Sequence, residues 1–306
     1  MLTHGGSVPN NPRAHSPGLS TGRCSPRVNV GISSRLRLTA HETIPPSVTD
    51  LAGRALRQLF RFYELLRGIG RDAGPELAPD GLQLPPRQLR FRVAGTPEIE
   101  PFLHGGQLAA TTVRDLLAKA GRPVDACSSI LDFGCGCGRV LRQWKDLRRT
   151  AIYGCDFNPE VVQWCEKVLP FSSVSVNSDA PPLAFNSSQF DAIYAFSVFT
   201  HLPETLQKQW LEEFRRILKP GGLLIFSTHG SYYMPRLRKS EREQFLEGQL
   251  VVRFGSVAGS NLCNTFHPEA FVRGELATGW DVVEFAPEGA LGNPRQDAWV
   301  LRRRQV

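Results

Sequence analysis

From Ser128 onward, short apolar runs alternate with stretches in which apolar residues recur every three or four positions. The runs predict strands at 129–133, 151–155, 173–177, 191–196 and 222–228, and the helical spacing predicts helices at 138–147, 159–168 and 204–218. The last helix carries Trp210, Leu211, Phe214, Ile217 and Leu218 on one stripe and stops at LKPGG, where proline cannot continue it. Two further runs, 280–285 and 297–302, are joined by a Gly/Pro-rich loop and read as an antiparallel pair closing the sheet. Upstream, Asp50–Ile69 is an amphipathic helix with Leu51, Ala55, Leu59, Phe62, Tyr63 and Leu66 on one face and arginines on others. That face is expected to pack on the chain's own domain, the alternative being a membrane surface. Residues 73–88 read as a linker; a short run, LRFRV (Leu89–Val93), a helix start at Thr96-Pro97 and a helix over Gln107–Ala120 follow. Regular strand–helix alternation argues for an α/β fold with a parallel sheet.

The stretch Ile130–Arg139, ILDFGCGCGR, changes the picture most. A strand runs into Asp132 and then into a turn with glycine at positions 134, 136 and 138. Such a turn brings backbone N–H groups up to a ligand, and any Cβ there would stand where the ligand approaches. The next strand ends in Asp156, placed to accept hydrogen bonds from both hydroxyls of an adenosine ribose. Together they read as a nucleoside-cofactor site. Dinucleotide binders use GxGxxG; in this chain Arg139 fills the third glycine slot and the glycine falls at Gly138.

Four blocks in order, ILDFGCGCGR, CDFNPE, NSDAPPLAF with FDAIYAFSVFTHLP, and LKPGGLLIFST, resemble the class I S-adenosylmethionine-dependent methyltransferases over about residues 128–230. The resemblance implies a Rossmann-like, seven-stranded, mostly parallel sheet with a C-terminal antiparallel hairpin. It also implies the cofactor S-adenosyl-L-methionine. Gly134, Cys135 and Gly136 would run under the methionine moiety, with Asp132 holding its ammonium. Asp156 would bind the ribose, Phe157 would lie against the adenine, and Asp179 with the Ala180 N–H would face the adenine amino group. Phe196 and Ser197 would line the space beside the sulfonium. For a hydroxyl acceptor the candidate general bases near strand ends are His201, His229 and His267, of which His229 is preferred and His201 is read rather as fixing the strand-to-helix loop. LPPRQLRFRVAGT, FLHGG and QDAWVLR are similar to methyltransferase domains found beside glycosyltransferases, which leans toward a glycan or glycolipid acceptor.

Three domains are expected: a disordered tail over 1–45, a helical N-terminal cap over 46–122 and the methyltransferase domain over 123–306. The net charge of +7 is misleading, because residues 1–41 hold five arginines and no acid, so the rest carries only +2. The high pI is therefore no argument for nucleic acid, and none is expected as a partner. No apolar run approaches the length of a membrane span. The seven cysteines follow no metal spacing, so no metal is expected, and reduced thiols in a cytoplasm are the plain reading. The motifs of amino-methylating DNA enzymes, cytosine-C5 enzymes, arginine methyltransferases and catechol-type enzymes are missing. A metal-independent enzyme acting on a small-molecule, sugar or lipid-linked acceptor is what remains. The rivals are a nicotinamide-dinucleotide oxidoreductase and a non-catalytic module of the same fold.

Overall fold

The computed structural model describes residues 77–292 and 295–305, together with Ala55, Gln58, Leu59, Phe62, Tyr63 and Leu66. The expected tail over 1–45 lies outside the described residues. Of the helix expected over 50–69, the six described residues are exposed, Leu59 at 65% and Phe62 at 61%. The described residues of the face expected to pack inward are open, although Tyr63 meets Phe91 edge-on at 5.9 Å.

Helix α1 (Arg87–Ala94) falls where the sequence suggested only the end of a linker and a short apolar run. Gly95 ends it in the left-handed conformation. Helix α2 (Ile99–Lys119) is longer than expected, because Gly105 and Gly106 are packing residues rather than breakers. A Cβ at Gly106 would stand 2.3 Å from the Arg139 carbonyl oxygen, so bare main chain lets α2 lie directly on the glycine loop.

Next come β1 (Ser129–Phe133), β2 (Ala151–Asp156), α3 (Pro159–Val168), β3 (Ser172–Val176) and β4 (Phe190–Ala195). The chain continues through α4 (Glu204–Ile217), β5 (Leu218–Thr228), α5 (Lys239–Leu246), β6 (Val251–Arg253), β7 (Asn264–Phe266), β8 (Trp280–Ala290) and β9 (Gln296–Arg303). The main sheet has seven strands in the order β3-β2-β1-β4-β5-β9-β8, all running the same way except β9, which pairs antiparallel with both β5 and β8. This is the expected sheet, with the final hairpin placed so that β9 lies beside β5. Apolar side chains cover both faces: Leu117, Trp144, Tyr194 and Ile225 on one, Phe133, Trp210, Phe214 and Trp299 on the other. Asn158 caps α3 by accepting the Glu160 N–H at 3.0 Å.

One expected helix does not form. Residues 138–147 make only a short 3₁₀ turn at Leu141–Trp144. The reason lies in the side chains, which are anchored in different directions instead of sharing one apolar stripe. Arg139 reaches the Gly292 carbonyl at 2.8 Å, Arg142 forks onto Asp80, and Trp144 donates to Tyr194 at 2.7 Å. The amphipathic spacing is real, but tertiary anchors override it.

Candidate active site

Asp132 and Asp156 stand at the carboxyl ends of neighbouring strands, paired in parallel register. Between them the loop 134–138 turns through left-handed positions, with Gly134 at φ 76° and Gly136 at φ 54°. Four of its five amides are already taken within the protein. Gly134 and Cys135 both donate to the Cys155 carbonyl, at 2.8 and 3.0 Å, Gly138 donates to Cys135, and Gly136 donates to Asp156 Oδ2 at 3.0 Å. Nor would a Cβ at these glycines stand in open ligand space. At Gly134 it would meet Val198 at 2.5 Å, and at Gly136 it would meet Val93 of α1 at 2.7 Å. The turn therefore does not offer the ring of N–H donors that a pyrophosphate requires.

What faces the cleft is carboxylate. Asp132 is 4% exposed and its Oδ2 has no hydrogen-bond partner. Burial raises its pKa to about 8, against the opposing pull of Tyr194 and Arg139. An orphaned, buried carboxylate oxygen is costly unless something cationic or donating meets it, and an ammonium group does both. Asp156 accepts from Asn158 N at 2.9 Å through Oδ1 and from Gly136 through Oδ2, which fixes the carboxylate plane. Its pKa is also raised by burial, with the Asn158 and Gly136 hydrogen bonds and Arg92 opposing. Each of its oxygens keeps a second lone pair for a hydroxyl donor. These residues fit an adenosyl group carrying a cationic amino-acid tail.

Phe157 follows Asp156 and is 44% exposed, with the main chain of Gly259 beside its ring: a Cβ there would lie 3.6 Å away. Asp179 is exposed and Ala180 half-buried in the bend after β3, which is tied back by Asn177 N to the Asp156 carbonyl at 3.1 Å. Phe196 is buried beside Tyr194 at the end of β4. Ser197 is held in a left-handed conformation at φ 58°. Its N–H donates to Ser227 Oγ at 2.8 Å, and its Oγ accepts from Gln296 Nε2 at 2.6 Å. Ser227 in turn donates to Gln296 Oε1 at 2.7 Å, closing a ring across β4, β5 and β9. The sequence reading named Ser197 and missed Gln296, although QDAWVLR had stood out as a motif.

The three histidines come together where the segment 231–268 folds back over the end of β5. This segment has a small core of its own, formed by Tyr233, Leu237, Phe245, Val251 and Phe266. His201 Nδ1 lies 2.7 Å from the Cys263 carbonyl, and the Gly259 N–H donates to the His201 carbonyl at 2.8 Å. His201 thus fastens the segment to the β4 loop. His267 is buried, with Nε2 3.1 Å from Gln207 Oε1, and burial lowers its pKa to about 3. Because Gln207 donates its amide to two carbonyls, its oxygen accepts the proton of His267. His229 Nδ1 lies 3.2 Å from the Thr265 carbonyl, which leaves Nε2 as the lone-pair nitrogen. Burial first, then His201, His267 and Arg236, hold its pKa well below the ordinary value. It is neutral at physiological pH.

The soft sequence motifs also find a place. Arg139 packs against Gly105 of FLHGG and bonds Gly292 in the loop before QDAWVLR. Cys137 Sγ donates to the Leu89 carbonyl at 3.7 Å, and Val93 lies over Gly136. Asn261 Nδ2 reaches the Arg92 carbonyl at 3.1 Å, so α1 and the segment 231–268 meet above the cofactor loop.

A methyltransferase domain model matches residues 131–226. The chain is 25% identical over 144 residues to the tRNA N(3)-methylcytidine methyltransferase trm141 of Schizosaccharomyces pombe, covering 44% of this chain and 58% of the relative. It is 27% identical over 203 residues to a ubiquinone biosynthesis O-methyltransferase of Cereibacter sphaeroides, covering 65% and 77%. Among solved structures, the glycopeptide N-methyltransferase MtfA complexed with sinefungin aligns with a TM-score of 0.46 at 18% identity, covering 65% and 87%. The chain spans about half the length of the tRNA-modifying relatives it matches, 58% and 47%. Among the described residues no helix is long and apolar enough to cross a membrane. The domain match runs across β1 to β5, so residues 131–226 carry a methyltransferase domain on a Rossmann-like sheet, with two buried carboxylates at the tips of β1 and β2.

Proposed function

We propose that this chain transfers a methyl group from S-adenosyl-L-methionine to a small-molecule, sugar or lipid-linked acceptor, without a metal, in the cytoplasm. The observation that carries the cofactor side is the pairing of a loop that spends four of its five amides internally with an unpartnered carboxylate oxygen on Asp132. That arrangement suits a cationic ligand and not a dinucleotide. When bound, the cofactor supplies a methyl already activated on cationic sulfur. Asp156 holds the ribose hydroxyls, Asp132 the ammonium, and Phe157 with Asp179 and Ala180 the adenine. Gly134, Cys135 and Gly136 run beneath the methionine, and Phe196 and Ser197 stand beside the reacting centre.

The acceptor lies under the segment 231–268, where α1 and that segment keep water out. His229 takes the acceptor proton at Nε2, being neutral and held by Thr265. His201 is a fastening residue. A second reading, an RNA acceptor, is favoured by the similarity to trm141.

The test is incubation with methyl-deuterated S-adenosylmethionine and, in separate reactions, a metabolite extract and total tRNA, read by mass spectrometry. Label in a small metabolite is expected. Label in tRNA would overturn the acceptor class, and label in neither, with S-adenosylhomocysteine still bound, would favour a non-catalytic module. Thermal stabilisation by NAD in place of S-adenosylhomocysteine would overturn the cofactor.

A further inference from the structure

Beyond His229 the carboxyl end of β5 leads into aromatic and cationic side chains that the cofactor half does not use. Tyr233 lies against His229 with ring centres 4.2 Å apart and the rings tilted by 41°. The guanidinium of Arg236 lies 4.8 Å from the centre of the Tyr233 ring and 5.9 Å from that of Tyr232. Arg295, just before β9, comes within 5.4 Å of the same Tyr232 ring. Two guanidinium groups thus share one tyrosine that is itself 41% exposed. Stacking on an aromatic face accounts for part of this arrangement. It does not balance the charge.

The two arginines differ in what neutralises them. Arg295 pairs with Glu288 at 3.0 Å. Other exposed arginines are matched in the same way, Arg273 with Glu269 and Arg304 with Asp281. Arg236 has no carboxylate at ion-pair distance among the described residues. Its charge reaches His229 and Tyr233, adding to the field that keeps His229 neutral. An unbalanced guanidinium one tyrosine away from the base, on the rim where the acceptor is placed, presents a planar fork suited to a carboxylate or a phosphate.

We propose that the methyl acceptor is an anion, and that Arg236 receives its charged group at the mouth of the pocket, with Tyr232 and Tyr233 as the wall between that group and His229. The proposal rests on the methyltransferase reading above. Arg295 is the lesser partner, because an acceptor anion has to share it with Glu288. The reacting atom and the anionic group are then about one aromatic ring apart, which defines a compact acid or phosphate ester and not a neutral sugar.

The experiment uses the full chain saturated with S-adenosylhomocysteine and titrated by calorimetry or NMR with benzoate, phenyl phosphate and the neutral benzyl alcohol. At least one anion is expected to bind saturably, at least tenfold tighter than benzyl alcohol, and the tighter anion identifies carboxylate or phosphate. Arg236→Gln should weaken that anion about tenfold or more while leaving the S-adenosylhomocysteine affinity unchanged, which also reports that the variant is folded. Arg304→Gln should change neither. Absence of saturable anion binding, no preference over benzyl alcohol, or an affinity that Arg236→Gln does not move would each overturn the proposal. Failure of the parent protein to bind S-adenosylhomocysteine at all would instead remove the methyltransferase reading on which it stands.

Discussion

The carboxyl edge of the sheet is built in two ways. Over β1 and β2 the site is made by the fold itself: strand tips place Asp132 and Asp156, and main chain fixes both the loop and the Asp156 carboxylate. Over β4, β5 and β9 it is made by side chains that an insertion brings back, with His201, His229 and His267 each tied to a carbonyl or an amide of another element. Burial acts on both halves with opposite chemical results. It pushes the carboxylates up toward their neutral form and His229 and His267 down toward theirs, so these buried groups are held toward neutrality in both halves. On the function proposed above, the first half serves a nucleoside cofactor, whereas the second serves the acceptor.

The largest expected effect tests the first half. Asp156→Ala should abolish the thermal shift given by S-adenosylhomocysteine, a loss of about 2.7 kcal/mol of ligand stabilisation at a hundredfold excess over Kd. The variant also frees the Gly136 and Asn158 amides, so the ligand-induced increment is the quantity to compare, not the bare melting temperature. An increment that survives would detach the ribose from Asp156 and leave the two halves equally anonymous.

The second half is next. His229→Ala should lower kcat on the true acceptor by about a hundredfold, the smaller end of what a positioned base contributes, with cofactor affinity kept. His201→Ala should act differently, because it releases the Cys263 carbonyl and loosens the segment over the pocket. Its signature is a raised KM and a lower melting temperature, not a selective fall in kcat. If the two variants gave the same kinetics, the separation of base from fastener would be wrong.

The two halves also differ in how far the sequence disclosed them. The strand pattern was legible because it depends on local order, apolar runs of which the first two end in Asp132 and Asp156, and the sheet of seven followed from the family resemblance. Two features of the loop were not. The glycines read as open floor, yet Val93 and Val198 occupy the space their Cβ atoms would need, and Val93 comes from a helix that the sequence read as linker and apolar run. The amides read as ligand donors, yet Cys155 and Asp156 take them. Both facts depend on residues distant in sequence, as do the Ser197–Ser227–Gln296 ring and the partners of the histidines. A one-dimensional period carries no record of such contacts. The 138–147 helix failed for the same reason, since three anchors pulling different ways leave no trace in spacing.

Gly136→Ala sharpens the point about the roof. The new methyl would meet Val93 Cγ2 at 2.7 Å, in a left-handed conformation that L residues disfavour. A destabilisation of about 2–3 kcal/mol is expected, from strain of about 1 kcal/mol and overpacking of about 1–2 kcal/mol. Val93→Ala in the same chain should return the overpacking part and leave the strain. A double-mutant cycle by urea denaturation reads that coupling directly, and additivity would mean that α1 does not press on the loop.

The smallest effect is the most specific to Asp132. Its pKa in the folded chain is about 8 against an ordinary 3.8, so the fold disfavours its ionised form. The sign follows. The contribution to stability is full below pH 3.8, declines as pH rises because the unfolded chain ionises first, and levels off above about pH 8. A ligand ammonium reverses the preference by favouring the carboxylate. Binding of S-adenosylhomocysteine near pH 7 should therefore release a proton, and its affinity should climb with pH by at most about tenfold per unit until about pH 8. Calorimetry in two buffers of different ionisation enthalpy counts that proton. Asp132→Asn should bind more weakly, release none and flatten the slope over the same range, while His229→Ala should leave both unchanged, since His229 is neutral throughout. A proton count that followed His229 instead of Asp132 would move the ligand's charge to the other half of the cleft.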